Sequence, residues 1–325
     1  MSRRLLLTGA TGFIGQRLFP SLNSADWDVL CATRDLSKSQ RHAPDRHWVP
    51  FVAQRRESVD RALEGVDTLL YLIHAMGDHG DFEADERRAA ETVQRSAEHH
   101  GVRRIVYLGG VAPSGLPSKH LRSRLATGEM LRSGHVSTLE LRAGMIVGAG
   151  SQSWCIVRDL AARLPFMILP SWLQNHSQPV AIDDVTAALV RATELDRSIS
   201  GVLELPGPET LTGEQILMRI AALLGVRPYT LRVPLLSPKL SSYWLKLVTR
   251  ADFGIAQELV AGLTSDLIAQ NPPFWSFMPE HRLQSFDEAA LRALQEESGG
   301  LSLPTRVLEW SLQHLGRRPH PRSAA

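Results

Sequence analysis

Apolar and polar residues alternate in blocks along the first 150 residues, and most apolar blocks run for five to seven residues. Such runs are typical of parallel strands that are buried on both faces. The predicted strands are 4–8, 29–33, 48–52, 67–73, 104–108 and 137–142. The segments between them predict helices over 13–23, 59–63, 81–100 and 118–133. Strands that alternate with helices predict an α/β fold, a doubly wound parallel sheet with right-handed crossovers.

After about residue 150 the pattern changes, because prolines and tryptophans interrupt it. A helix is predicted from Val180–Val185 to Glu194, a seventh strand over 202–205, and a helix from Thr212 to Leu224. Further helices are predicted over 239–248, 254–269, 287–297 and 304–315. We expect one domain of residues 1–150, rejoined by about 180–206. A smaller, mainly helical lobe of residues 151–325 is expected to interleave with it.

A glycine-rich turn, Thr8–Gly15, joins the first predicted strand to the first helix. Gly9 permits a tight turn, Gly12 lets the backbone approach a pyrophosphate, and Gly15 lets the helix pack closely on the strand. The helix N-terminus offers free N–H groups and a partial positive charge to phosphates. Because a strand, a glycine turn and a helix follow in this order, we expect a Rossmann-type site for NADP(H) or NAD(H).

The end of the second strand decides between the two cofactors. An acid there binds the adenosine ribose, whereas an arginine accepts the 2′-phosphate. This strand ends in Thr33-Arg34-Asp35. The planar guanidinium of Arg34 suits a phosphate dianion, whereas Asp35 is open to two interpretations, a ribose ligand or a partner that holds Arg34. On balance the residues favour NADP(H) over NAD(H).

The turn resembles the T-G-x-x-G-x-x-G pattern of the extended branch of the short-chain dehydrogenase/reductase superfamily. Ile182-Asp183-Asp184-Val185 and Leu141-Arg142-Ala143-Gly144 resemble later segments of the same branch. Beside the three glycines and Arg34, the cofactor contacts expected from this resemblance are Thr11, Phe13, Ile14, Ile73 and His74. For His74, a side-chain contact and a backbone-only contact both remain open.

The usual catalytic pair of that superfamily, Tyr-x-x-x-Lys, is absent from the helix where it is expected. His120 stands in the tyrosine position and Arg124 in the lysine position, and Gly109-Gly110 replaces the usual serine. With a reference pKa near 6.5, His120 is a candidate proton donor in the neutral range, and Arg124 is a candidate anchor for cofactor or substrate. The alternative is that His120 is an ordinary helix residue and that Arg124 contacts only cofactor or solvent.

Further segments resemble a narrower group, the uncharacterised bacterial atypical short-chain dehydrogenase-like proteins, which lack the usual active-site residues. They include Tyr107-Leu108-Gly109-Gly110, Gly128-Glu129, Leu205-Pro206-Gly207-Pro208-Glu209 and Leu240-Ser241-Ser242-Tyr243-Trp244. Membership of this group implies a fold and a cofactor, but not a reaction.

Composition removes several other classes of function. The chain has 325 residues, of which 43% are hydrophobic, a net charge of only +2, and two cysteines. A nucleic-acid partner would need a concentrated basic face. The cysteines are too few and too far apart for a zinc site or a disulfide framework, and no His and Asp spacing predicts another metal. No apolar run is long enough to span a membrane, and no signal peptide is apparent, so a cytoplasmic protein is expected.

Two functions remain open. The first is an oxidoreductase in which NADPH reduces an apolar carbonyl, enone or quinone, with the proton supplied by solvent or His120. The second is a non-catalytic NADP(H) binder, a redox sensor or an accessory subunit. Trp154, Trp172, Asn175 and His176 line an apolar substrate pocket or belong to the core of the small lobe. Aromatic residues in the C-terminal helices offer a surface for a homodimer, a protein partner or a membrane.

Overall fold

The computed structural model describes residues 3–23, 27–74, 82–164, 166–233, 264–299 and 318–319. Its strands are β1 Arg3–Leu7, β2 Trp27–Thr33, β3 His47–Pro50, β4 Thr68–Tyr71, β5 Arg104–Gly110, β6 Ser137–Ala143, β7 Ile146–Val147, β8 Phe166–Pro170, β9 His176–Ser177, β10 Val180–Ala181, β11 Gly201–Glu204, β12 Leu211–Thr212, β13 Val226–Arg227, β14 Tyr229–Val233 and β15 Arg318–Pro319. Its α-helices are α1 Phe13–Asn23, α2 Leu36–His42, α3 Arg56–Leu63, α4 Phe82–His99, α5 Lys119–Arg132, α6 Gln152–Arg163, α7 Ile182–Glu194, α8 Gly213–Leu223 and α9 Phe286–Gly299.

Seven strands form one parallel sheet in the order β11-β6-β5-β4-β1-β2-β3. This confirms the predicted doubly wound sheet of about seven strands. The chain order reverses between β1 and β4, so the connections that leave these two neighbouring strands run in opposite directions and leave a crevice where such sheets bind ligands. Pro50 lies in β3 at one edge of the sheet, where a residue without an N–H costs the ladder least.

Each face of the sheet is covered by its own layer of helices. One core combines strand residues with Leu18 and Leu22 of α1 and Val185 and Leu189 of α7. The opposite core combines strand residues with Val59 and Leu63 of α3, Ala90 and Val93 of α4, and Leu131 of α5. Burial on both faces explains why the strand sequences are nearly continuous in apolar character.

A third core lies outside the sheet, where α6, α8 and α9 pack together around Trp154, Ile216 and Phe286. Helix α8 begins with a capping box between Thr212 and Gln215, as Thr212 predicted. Short strand pairs, including β7 with β10 and β8 with β14, lie beside these helices. The sequence pattern did not indicate these strand pairs.

The structure differs from the predicted elements at two further places. Helix α2 was not predicted, although Asp35 supplies its N-cap. The helix expected over 254–269 is wrong for residues 264–269, which are not helical; instead, Leu267 bridges to Ser177. The first ten residues of that helix, together with those predicted over 239–248 and 304–315, lie outside the described residues.

Candidate functional site

The glycine turn has the close contacts that its sequence predicts. Gly9 has a φ of +65°, and a Cβ there would lie 2.7 Å from the carbonyl oxygen of Leu72. A Cβ on Gly15 would lie 2.8 Å from the Cα of Ala10, so α1 can pack against the turn only without a side chain. Gly12 donates its N–H to the carbonyl of Gly9 at 2.9 Å. The turn therefore fits a dinucleotide pyrophosphate at the N-terminus of α1.

Thr8 connects the turn to β4. Its hydroxyl donates to the carbonyl of Leu70 at 3.1 Å and accepts the N–H of Leu72 at 2.9 Å. These bonds hold the carboxyl ends of β1 and β4 together. Ile73 and His74, which follow β4, are thereby placed beside the glycine turn.

The carboxylate of Asp35 caps α2 by accepting the N–H of Lys38 at 2.9 Å. This capping role differs from both roles that the sequence suggested for Asp35, a ribose ligand and a partner of Arg34. Arg34 is exposed immediately after β2.

Sequence reasoning missed a second arginine near the turn. Arg46 donates to the carbonyl of Ala10 at 3.4 Å, and its guanidinium lies 4.4 Å from the ring centroid of Phe19. It thus supports the turn from the α1 side of the sheet. Only a tertiary contact reveals this, because Arg46 and Ala10 are 36 residues apart.

His74 and Arg124, predicted for different roles, meet in the structure. Nη2 of Arg124 lies 3.2 Å from Nε2 of His74 and donates to the carbonyl of Leu108 at 3.3 Å. The hydroxyl of Tyr107 donates to the carbonyl of Arg124 at 2.9 Å. Arg124 therefore bridges the carboxyl ends of β4 and β5. Its Nε is buried and has no hydrogen-bond partner within the described residues.

Both histidines beside Arg124 are uncharged at neutral pH. Desolvation, reinforced by the charge of Arg124, lowers the pKa of His120 to about 4. The same causes, with a further contribution from His120, hold the pKa of His74 well below its usual range. Since the Arg124 guanidinium can only donate, Nε2 of His74 accepts from it. The expected pKa of His120 near 6.5 is not what the structure gives, so its imidazolium form is scarce at neutral pH.

A side chain on Gly109 or Gly110, which replace the usual serine, would meet neighbouring side chains. A Cβ on Gly110 would lie 2.6 Å from Cδ1 of Leu121, and one on Gly109 would lie 2.9 Å from Oε1 of Glu140. Glu140 is fully buried. The space that a serine would need is therefore occupied by other side chains.

Glu140 is held by two arginines in a buried ion-pair cluster. Nε of Arg132 donates to one carboxylate oxygen at 2.8 Å, and Nε of Arg142 donates to the other at 2.6 Å. The carboxylate also lies where a Cβ of Gly128 would be. The cluster links β6 to α5, the helix that carries His120 and Arg124.

The other sequence candidates are spread over several places. Trp154 is fully buried in the third core and donates from Nε1 to Glu297 at 3.2 Å, so it belongs to the core of the small lobe. Trp172 is partly buried against the same core. Backbone N–H of His176, which follows Asn175, donates to Asp266 at 2.6 Å.

Within the described residues, no group of His, Cys, Asp and Glu is arranged to hold a metal ion. Asp78 and His79, the His and Asp residues closest in sequence after His74, lie outside those residues. Over the same part of the chain, no helix is both long enough and apolar enough to cross a membrane.

Comparison with known proteins matches residues 9–159 to a family described as NAD(P)H-binding. A mitochondrial NADH dehydrogenase (ubiquinone) 1 alpha subcomplex subunit 9 of Arabidopsis thaliana is 25% identical over 219 residues, which cover 64% of this chain and 54% of the plant protein. The chain thus spans about half the length of that relative. The ceramide reductase of Caulobacter vibrioides is 25% identical over 274 residues, which cover 78% of this chain and 83% of the bacterial protein.

Among solved structures, the NADPH-dependent quinone oxidoreductase of Escherichia coli in complex with NADPH has a TM-score of 0.67 and 21% identity. The superposition covers 88% of this chain and 98% of the quinone oxidoreductase. At this identity the likeness establishes a shared fold.

Proposed function

We propose that this chain is a reductase of the atypical short-chain dehydrogenase type, since residues 9–159 match an NAD(P)H-binding family. In this proposal NADPH reduces an apolar carbonyl, enone or quinone. The ceramide reductase and quinone oxidoreductase relatives support a reductase as the first candidate.

The observation that carries the proposal is the position of Arg124. Its guanidinium carries the positive charge of the site, and it bridges the ends of β4 and β5. In the superfamily that the sequence resembles, a lysine of the catalytic pair stands in this position. In this proposal Arg124 holds the nicotinamide ribose, and its contact with His74 fixes its orientation.

The residues around the turn support NADP(H). In the proposed complex the N–H groups of Thr11, Phe13 and Ile14 face the pyrophosphate, and Ile73 lies against the adenosine half. Arg34 takes the 2′-phosphate, a role made easier because Asp35 is engaged in capping α2. When bound, the cofactor supplies a hydride to the acceptor.

The proton that completes the reduction is taken from water in this proposal. His120 is uncharged at neutral pH, so it is a poor proton donor there, although it can accept a hydrogen bond. The neutral histidines leave Arg124 as the one charged member of the trio His74, His120 and Arg124. Such a site favours an uncharged, apolar acceptor.

Turnover tests the reductase directly. Purified protein is mixed with NADPH and a panel of quinones, enones and long-chain ketones, and the nicotinamide absorbance is followed. Arg124→Met should abolish turnover, and His120→Asn should alter it less. The matched control is Arg122→Met, because Arg122 lies on the same helix, is exposed and pairs with Glu83. Tight NADPH binding with no turnover on any acceptor would exclude the reductase.

Cofactor preference is tested by binding. Arg34→Ala should weaken NADPH about 10- to 100-fold, the equivalent of one charge-assisted contact, and should leave NADH unchanged. Arg61→Ala is the control, since Arg61 is exposed in the last turn of α3. An unchanged dissociation constant for NADPH in Arg34→Ala would show that the 2′-phosphate assignment is wrong.

A second candidate is a non-catalytic NADP(H) binder that acts as a redox sensor or an accessory subunit. The filled space at Gly109 and Gly110 favours it, as does the low pKa of His120. The similarity to a subunit of NADH dehydrogenase points the same way. This candidate predicts that both the wild type and Arg124→Met bind NADP(H) tightly. It also predicts that neither of them shows turnover.

A further inference from the structure

The sheet pair β8 and β14 presents apolar side chains outward. Met167 and Leu169 of β8 are each only 2% exposed. Because side chains alternate along a strand, Phe166 and Ile168 point away from the core, and they are 68% and 45% exposed. The outward face of a surface strand is normally polar. The exposed apolar side chains of β8 are therefore unusual and indicate an interaction surface.

The neighbouring strand extends the same face. The parallel register sets Tyr229 beside Phe166 and Leu231 beside Ile168. Tyr229 is 42% exposed and Leu231 65% exposed. The rings of Phe166 and Tyr229 are stacked with centroids 5.1 Å apart. We call these four residues the apolar face; they account for four of the six large hydrophobic residues that are exposed in the described part of the chain.

Two exposed arginines of the described residues, Arg227 and Arg232, lie on β13 and β14 beside the apolar face. Arg227 is exposed two residues before Tyr229, and Arg232, on β14 itself, has a side chain that is 76% exposed. Arg232 pairs with Glu214 at 2.8 Å.

From this arrangement we infer that the apolar face docks on the surface of an anionic lipid bilayer. Aromatic and aliphatic side chains enter the interface, and the flanking arginines face the lipid headgroups. Both signals are needed, since either a few apolar side chains or a few cations alone give only weak binding. The inference holds whether or not the protein is a catalyst, and it would give a reductase of apolar substrates access to molecules dissolved in a bilayer.

Vesicle co-sedimentation of the full chain tests the inference. The vesicles contain either phosphatidylcholine alone, or phosphatidylcholine and phosphatidylglycerol in about a 2:1 ratio. We expect binding to the anionic vesicles, little binding to the neutral ones, and loss of binding as salt is raised. Phe166→Ser with Leu231→Ser should weaken binding at least about tenfold. Arg227→Glu should weaken it by about the same factor.

The control is Leu291→Ser on α9, because Leu291 is as exposed as Ile168, at 45%, but lies outside the apolar face. The three positions changed to serine are 45–68% exposed, so we expect the core to be unaffected, and circular dichroism checks the fold of each variant. No binding of the wild type to anionic vesicles would overturn the inference, as would equal binding of the double variant. A third result would also overturn it. If the wild type binds no vesicles but forms a dimer, and the double variant is a monomer, the apolar face joins two copies of the chain. Turnover and NADPH binding are measured without vesicles. A failure of the proposed reductase function can therefore be distinguished from a failure of the membrane inference.

Discussion

The buried carboxylate of Glu140 makes a sharp prediction about Gly128. A Cβ on Gly128 would lie 2.5 Å from the carboxyl carbon of Glu140 and 2.6 Å from Oε1. The carboxylate cannot swing aside, because Arg132 and Arg142 hold its two oxygens and its side chain is fully buried. Gly128→Ala should therefore strain the ion-pair cluster.

The magnitude follows from two opposing contributions. Alanine in the middle of a helix is more favourable than glycine by about 0.5–1 kcal/mol. Overpacking against a fixed neighbour costs about 1–3 kcal/mol. Gly128→Ala should thus lower the free energy of unfolding in the wild type. In a Glu140→Ala background the clash is absent, so the same substitution should raise the free energy of unfolding by about 0.5–1 kcal/mol.

Urea unfolding followed by circular dichroism measures the four free energies of this double-mutant cycle. The coupling energy should equal the overpacking cost, about 1–3 kcal/mol. Glu140→Ala alone should be strongly destabilising, by about 3–5 kcal/mol, because it leaves two arginines without their buried partner. Glu140→Gln is the control, since it keeps the side-chain volume and so keeps Gly128→Ala destabilising. An effect of Gly128→Ala that is the same in all three backgrounds would refute the steric explanation.

Three further predictions follow from the same structure. The pKa of His120 lies at about 4 in the folded protein, below its reference of 6.5. As the pH falls, the unfolded chain therefore binds a proton at His120 before the folded protein does. The free energy of unfolding should fall as the pH drops from about 6.5 to about 4. His120→Asn should remove that part of the pH dependence in urea unfolding, and an unchanged profile would contradict the assigned burial. Burial raises the pKa of Cys31 to about 11, so a thiol reagent at neutral pH should label the partly buried Cys155 and leave Cys31 unmodified until the protein unfolds; mass spectrometry identifies the modified residue, and rapid labelling of Cys31 in folded protein would be the contrary result. Gly15→Ala should push α1 away from the turn and weaken NADPH binding by at least about tenfold, measured by titration calorimetry, and unchanged affinity would show that the turn accommodates the extra methyl group.

The main sheet was predictable because its signals are local. Each central strand is a short apolar run, and the intervening helices repeat apolar residues with helical spacing, so alternation alone indicates a parallel sheet. Helix α2 was missed because its sequence, Leu36–His42, has one turn of polar residues after another. The pair of β8 and β14 was missed because its strands lie 63 positions apart in register, and no local pattern specifies that pairing.

The candidate site divides in the same way. The glycine turn is a contiguous motif of eight residues, so its place in the chain can be recognised from the sequence, although its contact with Leu72 is tertiary. The meeting of Arg124 with His74 joins positions 50 residues apart, and the pKa of His120 depends on desolvation by the folded chain. Neither can be read from the residues themselves, which carry only their reference pKa values.

The sequence by itself determined the doubly wound sheet and the place of the dinucleotide turn, because both depend on periodicity and on backbone freedom within short segments. Tertiary structure decided the charge state of the histidines, the filling of the serine position by Leu121 and Glu140, and the outward apolar face of β8 and β14. These features depend on which distant side chains become neighbours and how much water they exclude. Packing, and not local pattern, therefore sets the chemistry of the site.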